Sequence, residues 1–269
     1  MNNILFRSNN SVDKDNYKII SLLTIFLIFK IFYVGIYPFI NGYGNLYLVF
    51  SPLIIYFIYY FILIIINKKS DSYYIVLSLI ISFVIPSGIS LFVFILGSVI
   101  GNIISYIFKN RISSVVITLL LITIYLSNNY VMDSYNGIFY YIYILQCTIS
   151  YLYLFFNKLV KPKVLLFSFM SIIIINIITN NYIFDISLFC LLFVVSDNRY
   201  SPITKYGQIL GGFFFGLFIY VFKYIFNIDY YLSLGIFLYE IVSNIINFLG
   251  YSWIKFIPVN MIMKMKEDN

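Results

Sequence analysis

Histidine is absent from the 269-residue chain, and its two cysteines, Cys147 and Cys190, stand alone inside apolar runs. A haem with His ligands, a zinc site and a chain-internal four-Cys iron–sulfur cluster all need ligand sets that this inventory cannot supply. The chemistry left is that of a few charges in apolar surroundings. Glu240 sits in the middle of the run 232–246, and Lys30 lies within the run 19–37. A carboxylate at the centre of a membrane helix costs at least ~2.5–3.5 kcal/mol unless it is paired or hydrated, which marks Glu240 for an ion or proton pathway. Lys30 is its candidate partner, because opposite charges in one bundle lower each other's desolvation cost. A purely structural pair, and a Lys30 stem that snorkels to an interface, are the plainer alternatives.

The elements that must carry these charges are helices in a bilayer. Residues of the set AVILMFWYC make up 62% of the chain and charged residues 10%, with a mean hydropathy of +0.96. Soluble domains hold roughly 45–50% apolar and about 25% charged residues, so a water-soluble enzyme is excluded. About 20 apolar residues span a bilayer core, and runs between polar breaks predict ten helices near 19–37, 46–66, 73–86, 89–108, 113–126, 138–156, 164–179, 183–195, 207–226 and 230–250. The first eighteen residues have no signal-peptide pattern and are read as a retained polar tail, matched by a second tail over 251–269.

Net charge is +7, but the basic residues form no surface patch of the kind that nucleic acid requires. With ten helices, fifteen of the seventeen fall on the side that holds the amino terminus, and only Lys30 and Lys223 do not. Lys and Arg collect on the cytoplasmic face, so both termini are expected in the cytoplasm of a bacterial cell, with the chain in its cytoplasmic membrane. Asp133, Asp185 and Asp229 then fall on the opposite side, either as a negative rim that attracts cations or as solvated carboxylates.

Gly97 and Gly101 recur as Gly212 and Gly216 at a common offset of 115 residues. Each pair follows a short apolar helix, 73–86 or 183–195, and a polar break, at Pro86-Ser-Gly88 and at 196–202. These short helices reach only about 20 Å at 1.5 Å per residue. Five spans per half makes an inverted repeat, about 19–126 and 138–250, in one integral membrane domain over 1–269. Paired short helices point to a midplane site at the breaks; the glycines alone read equally as close helix-packing positions.

Several segments together resemble a known family. Arg7-Ser-Asn-Asn-Ser11-Val12 is similar to a segment preceding the family's first helix. The stretch 80–110 is similar to its short helix, proline break and glycine-bearing helix, and Tyr151-Leu-Tyr-Leu-Phe155 to its sixth helix. Val195-Ser-Asp197-Asn-Arg-Tyr-Ser-Pro202, with Thr204, Gly207, Gly212 and Gly216, is similar to its Thr-Asp-Pro signature and the helix that follows. The family is the D subunit of the Rnf ion-translocating ferredoxin:NAD oxidoreductase and its homologue, the B subunit of the sodium-pumping NADH:quinone oxidoreductase.

The resemblance implies a membrane subunit of a complex that couples electron transfer to Na+ or H+ movement, with other membrane and peripheral subunits as partners. It also implies a flavin, FMN or riboflavin. The family's attachment motif is Ser-Gly-Ala-Thr, whereas this chain has no Ala and no Thr between Ser127 and Gln146, so a flavin here would be held without a covalent ester. Pro86, Gly88, Asp197, Thr204 and Gly207 are the residues expected around a flavin or ion cavity. Asp197, beside Arg199, is either a solvated ion pair or the residue that fixes the break and caps the ninth helix. Thr204 and Gly207 would offer a hydroxyl and backbone N–H groups to a flavin phosphate at that helix's start, or a plain cap. A stand-alone channel or transporter on the same inverted repeat is the alternative.

Overall fold

The computed structural model describes residues 9–42, 44–67, 71–108, 111–126, 138–179, 186–197 and 199–256. Over these residues the protein is all-helical, and strand-like pairing is confined to a backbone bridge between Val160 and Asp197. The helices are α1 (Asn9–Lys30, continuing through a π-helical segment, Ile31–Ile36, to Tyr37–Ile40), α2 (Leu46–Asn67), α3 (Ser72–Val84), α4 (Leu91–Ile107) and α5 (Ser114–Leu126). They continue with α6 (Ile138–Phe156), α7 (Pro162–Thr179), α8 (Ile186–Cys190 with the π-helical Leu191–Val195), α9 (Lys205–Tyr220 with the π-helical Val221–Ile225) and α10 (Tyr231–Phe256). Among the described residues five stretches are long and apolar enough to cross a membrane: Val12–Ile40, Leu46–Asn67, Ile138–Phe156, Lys205–Ile225 and Tyr231–Gly250. The chain is an all-α membrane protein.

Two boundaries differ from the sequence expectation. α1 starts at Asn9 instead of near residue 19, and α10 runs on to Phe256. Residues 9–18 contain no Gly or Pro to stop a helix, and two of their polar side chains meet Ser72: Asn16 Nδ2 donates to Ser72 Oγ at 2.7 Å, and the Ser72 hydroxyl donates to Asp13 at 2.7 Å.

The short helices α3 and α8 form the core. From Val76 to Val84 every residue of α3 is buried, as is all of Leu191–Val195, so neither stretch has a solvent face, and in α3 only Ser78 and Ser82 interrupt the apolar run. α3 stops where Pro86 pushes Ile85 into an extended conformation (φ −72°, ψ 135°). The two helices run in opposite directions, joined at one end by the Phe83 and Phe189 rings (4.2 Å) and at the other by a 2.8 Å bond from Tyr73 OH to Asp197. α1 and α2 pack on α3, α4 packs on α5 and on α2, α9 packs on α7 and α10, and α10 closes on α5.

The glycine pairs set two of these contacts. A Cβ on Gly97 would lie 2.9 Å from Ile122 Cγ1 and one on Gly101 would run into Thr118, so α4 approaches α5 on bare backbone. On α9, a Cβ at Gly212 would lie 2.8 Å from Phe167 Cβ and 2.9 Å from the Ser168 nitrogen and the Val164 carbonyl, and one at Gly216 would meet Ser171. Because backbone atoms of α7 cannot give way, Gly212→Val is expected to pry α9 from α7 and cost at least about 2 kcal/mol, read as a lowered midpoint of thermal unfolding in detergent.

Candidate functional site

The polar centre of the molecule is the turn that follows α8. Asp197 Oδ2 accepts from Tyr73 OH at 2.8 Å and Oδ1 from the Arg199 backbone N–H at 2.9 Å, while its carbonyl accepts from the Ser201 N–H (3.0 Å) and hydroxyl (2.6 Å). An Asp bonded to the N–H two residues on is a turn-forming device, and here it also ties the start of α3 to the end of α8. The Arg199 guanidinium lies over the Tyr73 ring, 3.2 Å from its centroid. Lys161, on the connector between α6 and α7, donates to the Ser201 carbonyl at 2.7 Å. Thr204, not Asp197, caps α9: its Oγ1 accepts from the Gly207 N–H at 3.1 Å. With Gly207 also pressed between Thr204, Pro202 and Ile246, that helix start is closed by its own side chains.

Burial holds Lys161 down to about 8, against the smaller opposing pull of Asp197, and pushes the Tyr200 phenol up, with Glu240 and Asp197 adding to it. The unfolded chain therefore keeps a proton on Lys161 between about pH 8 and the ordinary lysine range, while the folded chain gives it up. Stability is expected to rise with pH across that window, and Lys161→Met is expected to flatten the rise, as followed by thermal unfolding at pH 7.5, 8.5 and 9.5.

Glu240 lies beside this turn, on the seam where α10 meets α5. It is fully buried; Oε2 accepts from the Ser113 backbone N–H at 2.7 Å, just before α5 begins, and Oε1 has no hydrogen-bond partner among the described residues. A carboxylate at a helix start is favoured by the exposed N–H groups and the dipole. The seam continues to a second buried polar contact, Thr123 Oγ1 to Ser233 Oγ at 2.7 Å. Ser243, one turn from Glu240, bonds the Tyr200 carbonyl, and Tyr239 OH donates to the Val195 carbonyl at 2.9 Å.

Two cavities flank Tyr73 and Arg199. One, of about 190 Å³, is lined by Asp15, Asn16, Leu192, Phe193 and Asp197; the other, of about 230 Å³, by Asn67, Asp71, Asn102, Ser105, Ser114 and Tyr200. The second is lined by hydroxyl and amide groups, among them Ser114, whose neighbour in sequence, Ser113, holds Glu240.

Lys30 is elsewhere. It is fully buried on α1, and its Nζ donates to the carbonyls of Phe83 (2.8 Å), Ser82 (3.1 Å) and Ile85 at the far end of α3. The structure therefore does not bring Lys30 and Glu240 together, nor Pro86 and Gly88 to Asp197, Thr204 and Gly207: α3, about 20 Å long at 1.5 Å per residue, separates the two groups. Gly88 is exposed in the turn after Pro86, held by Tyr47 OH on the Ile89 carbonyl at 2.8 Å. Asp229 is exposed; Asp133 and Asp185 lie outside the described residues.

Among the described residues, those near the breaks pack against one another and do not fit a flavin. Between the short helices, Phe26 packs edge-on to Phe83, Phe189 and Phe193 at 5.1–5.5 Å, with Tyr143 beside them. Each cavity falls below the roughly 300 Å³ at which cofactor sites begin, and the Thr204 hydroxyl is spent on Gly207. Tyr73, Ser113 and Lys161 had no signal in the sequence: Tyr73 is one of 28 tyrosines, and Ser113 acts through its backbone.

No protein-family model and no curated protein matches this chain.

Proposed function

We propose that this chain is a membrane subunit of an ion-translocating complex of the Rnf and Nqr type, and that Glu240 is the ionisable station of its ion path. One observation carries the reading: a fully buried carboxylate with one oxygen fixed by the Ser113 N–H and the other without a hydrogen-bond partner among the described residues, where Ser113 is next in sequence to Ser114, which lines a polar cavity. An intramembrane carboxylate with spare hydrogen-bonding capacity is costly unless it binds a proton or cation during its work. The 230 Å³ cavity, with Asn67 and Asp71 at its rim, admits hydrated ions from the basic, cytoplasmic side. Glu240 receives the ion, and the Thr123–Ser233 hydroxyl pair continues the seam towards the other face.

The inverted repeat is part of the proposal, and the packing pattern supports it. The contacts of α2 with α3 and α4, and of α4 with α5, have counterparts in those of α7 with α8 and α9, and of α9 with α10; a path on the seam of two halves is where such folds place their substrates. The resemblance over 195–216 supplies the context, in which redox centres reside in partner subunits and this chain contributes the ion path. No step runs through a flavin of its own.

The test is to purify the chain through an affinity tag from its native membrane and reconstitute it. Co-purification of ferredoxin- or NAD-linked subunits, with cation uptake into vesicles driven by their substrates and abolished in Glu240→Gln, is the expected result. A chain that purifies alone and moves a solute unaided overturns the complex reading in favour of a stand-alone transporter. Unchanged uptake in the Gln variant removes Glu240 from the path.

A further inference from the structure

The end of α3 presents carbonyls that the helix cannot use itself, since the last turn of any helix has no N–H partners for them. Pro86 turns the chain away at Ile85, and the carbonyls of Ser82, Phe83 and Ile85 converge on one point, occupied by the Lys30 Nζ. The Phe83 ring lies 5.9 Å from the same nitrogen. The helix dipole adds negative potential at this end, and the residue is fully buried. Converging backbone carbonyls that replace a hydration shell are how ion pathways hold a bare monovalent cation, and a lysine ammonium is a compact point charge with three donors. The end of α8 is treated differently: the Val195 carbonyl takes a neutral donor, Tyr239 OH.

We propose that the carboxyl-terminal end of α3 is a site for a monovalent cation of ammonium or potassium size, and that the Lys30 ammonium is its tethered occupant. The lysine stem delivers from α1 the charge that the broken helix would otherwise take from solution, and because it cannot leave, the site stays loaded. This inference stands on the Lys30 contacts alone and is independent of the role given to Glu240.

Removing the tether exposes the site to free ions. In detergent at equal ionic strength, Lys30→Ala is expected to unfold about 3 °C or more higher in potassium or ammonium chloride than in choline chloride, because a ligand that binds only the folded state raises its midpoint. The unaltered protein is expected to show no such difference. Equal midpoints for the variant in all three salts overturn the proposal. Lys30→Arg keeps the charge and covers the case in which the alanine variant does not accumulate. A site sized for an ammonium loses several degrees with the wider guanidinium, whereas an Arg variant as stable as the unaltered protein shows that any cation on α1 suffices and also overturns it.

Discussion

Glu240→Gln is expected to lower cation movement by at least about tenfold while leaving the protein as stable as before, or more so by about 1 kcal/mol. The two effects separate because the two carboxylate oxygens do different work. The amide keeps an acceptor for the Ser113 N–H, so the start of α5 remains capped. The oxygen without a partner becomes part of a neutral group, which removes a desolvation cost of a few kcal/mol for an ionised side chain in a membrane interior at the smaller cost of a neutral amide. What the amide cannot do is take and release a proton or cation. Vesicle uptake and thermal unfolding, measured on the same preparation, check both halves. A variant that is clearly less stable, with uptake reduced only in proportion to folded protein, would make Glu240 a structural cap of α5 and nothing more.

The helices were legible because apolar runs and their polar breaks are one-dimensional facts: Pro86 and 196–202 mark real ends of α3 and α8. The burial of Glu240 and Lys30 was legible for the same reason, since each charge interrupts a run that has no other. Their partners were not. Lys30 and Glu240 invite pairing only while depth is ignored; α1 and α3 run parallel from the Asn16–Ser72 contact, so Lys30 arrives beside the end of α3, whereas Glu240 faces the start of α5. Both of their actual partner sets are backbone groups, which every residue possesses and no sequence pattern distinguishes. The five-span repeat already implies that α3 and α8 run antiparallel, but the distance between their two breaks was hidden for a related reason. Two short buried helices look alike in sequence whether their breaks meet or lie apart, and only the Phe83–Phe189 and Tyr73–Asp197 contacts fix which it is. The π-helical segments after Lys30, before Asp197 and around Lys223 are likewise tertiary adjustments that leave no mark in residue type.

Lys30→Met, which also removes one buried charge, is expected to act in the opposite direction, lowering stability by about 3 kcal/mol. Charge alone does not decide the sign. Methionine matches the length and volume of the lysine stem, so packing against α3 is conserved, and the desolvation cost of the ammonium is recovered. Against this, the carbonyls of Ser82, Phe83 and Ile85 lose their shared donor in a place with no exposed surface. Each hydrogen bond from a charged donor contributes about 1.5–3 kcal/mol, and each buried carbonyl left unsatisfied costs about 1–3 kcal/mol. Three orphaned acceptors outweigh one recovered ammonium, whereas glutamine at position 240 orphans no acceptor or donor of its neighbours. The pair of variants, unfolded side by side in a salt that cannot enter the α3 end, such as choline chloride, tests that rule directly. Opposite shifts support it, and a Lys30→Met protein as stable as the unaltered chain would mean that the end of α3 finds other donors once the ammonium is gone.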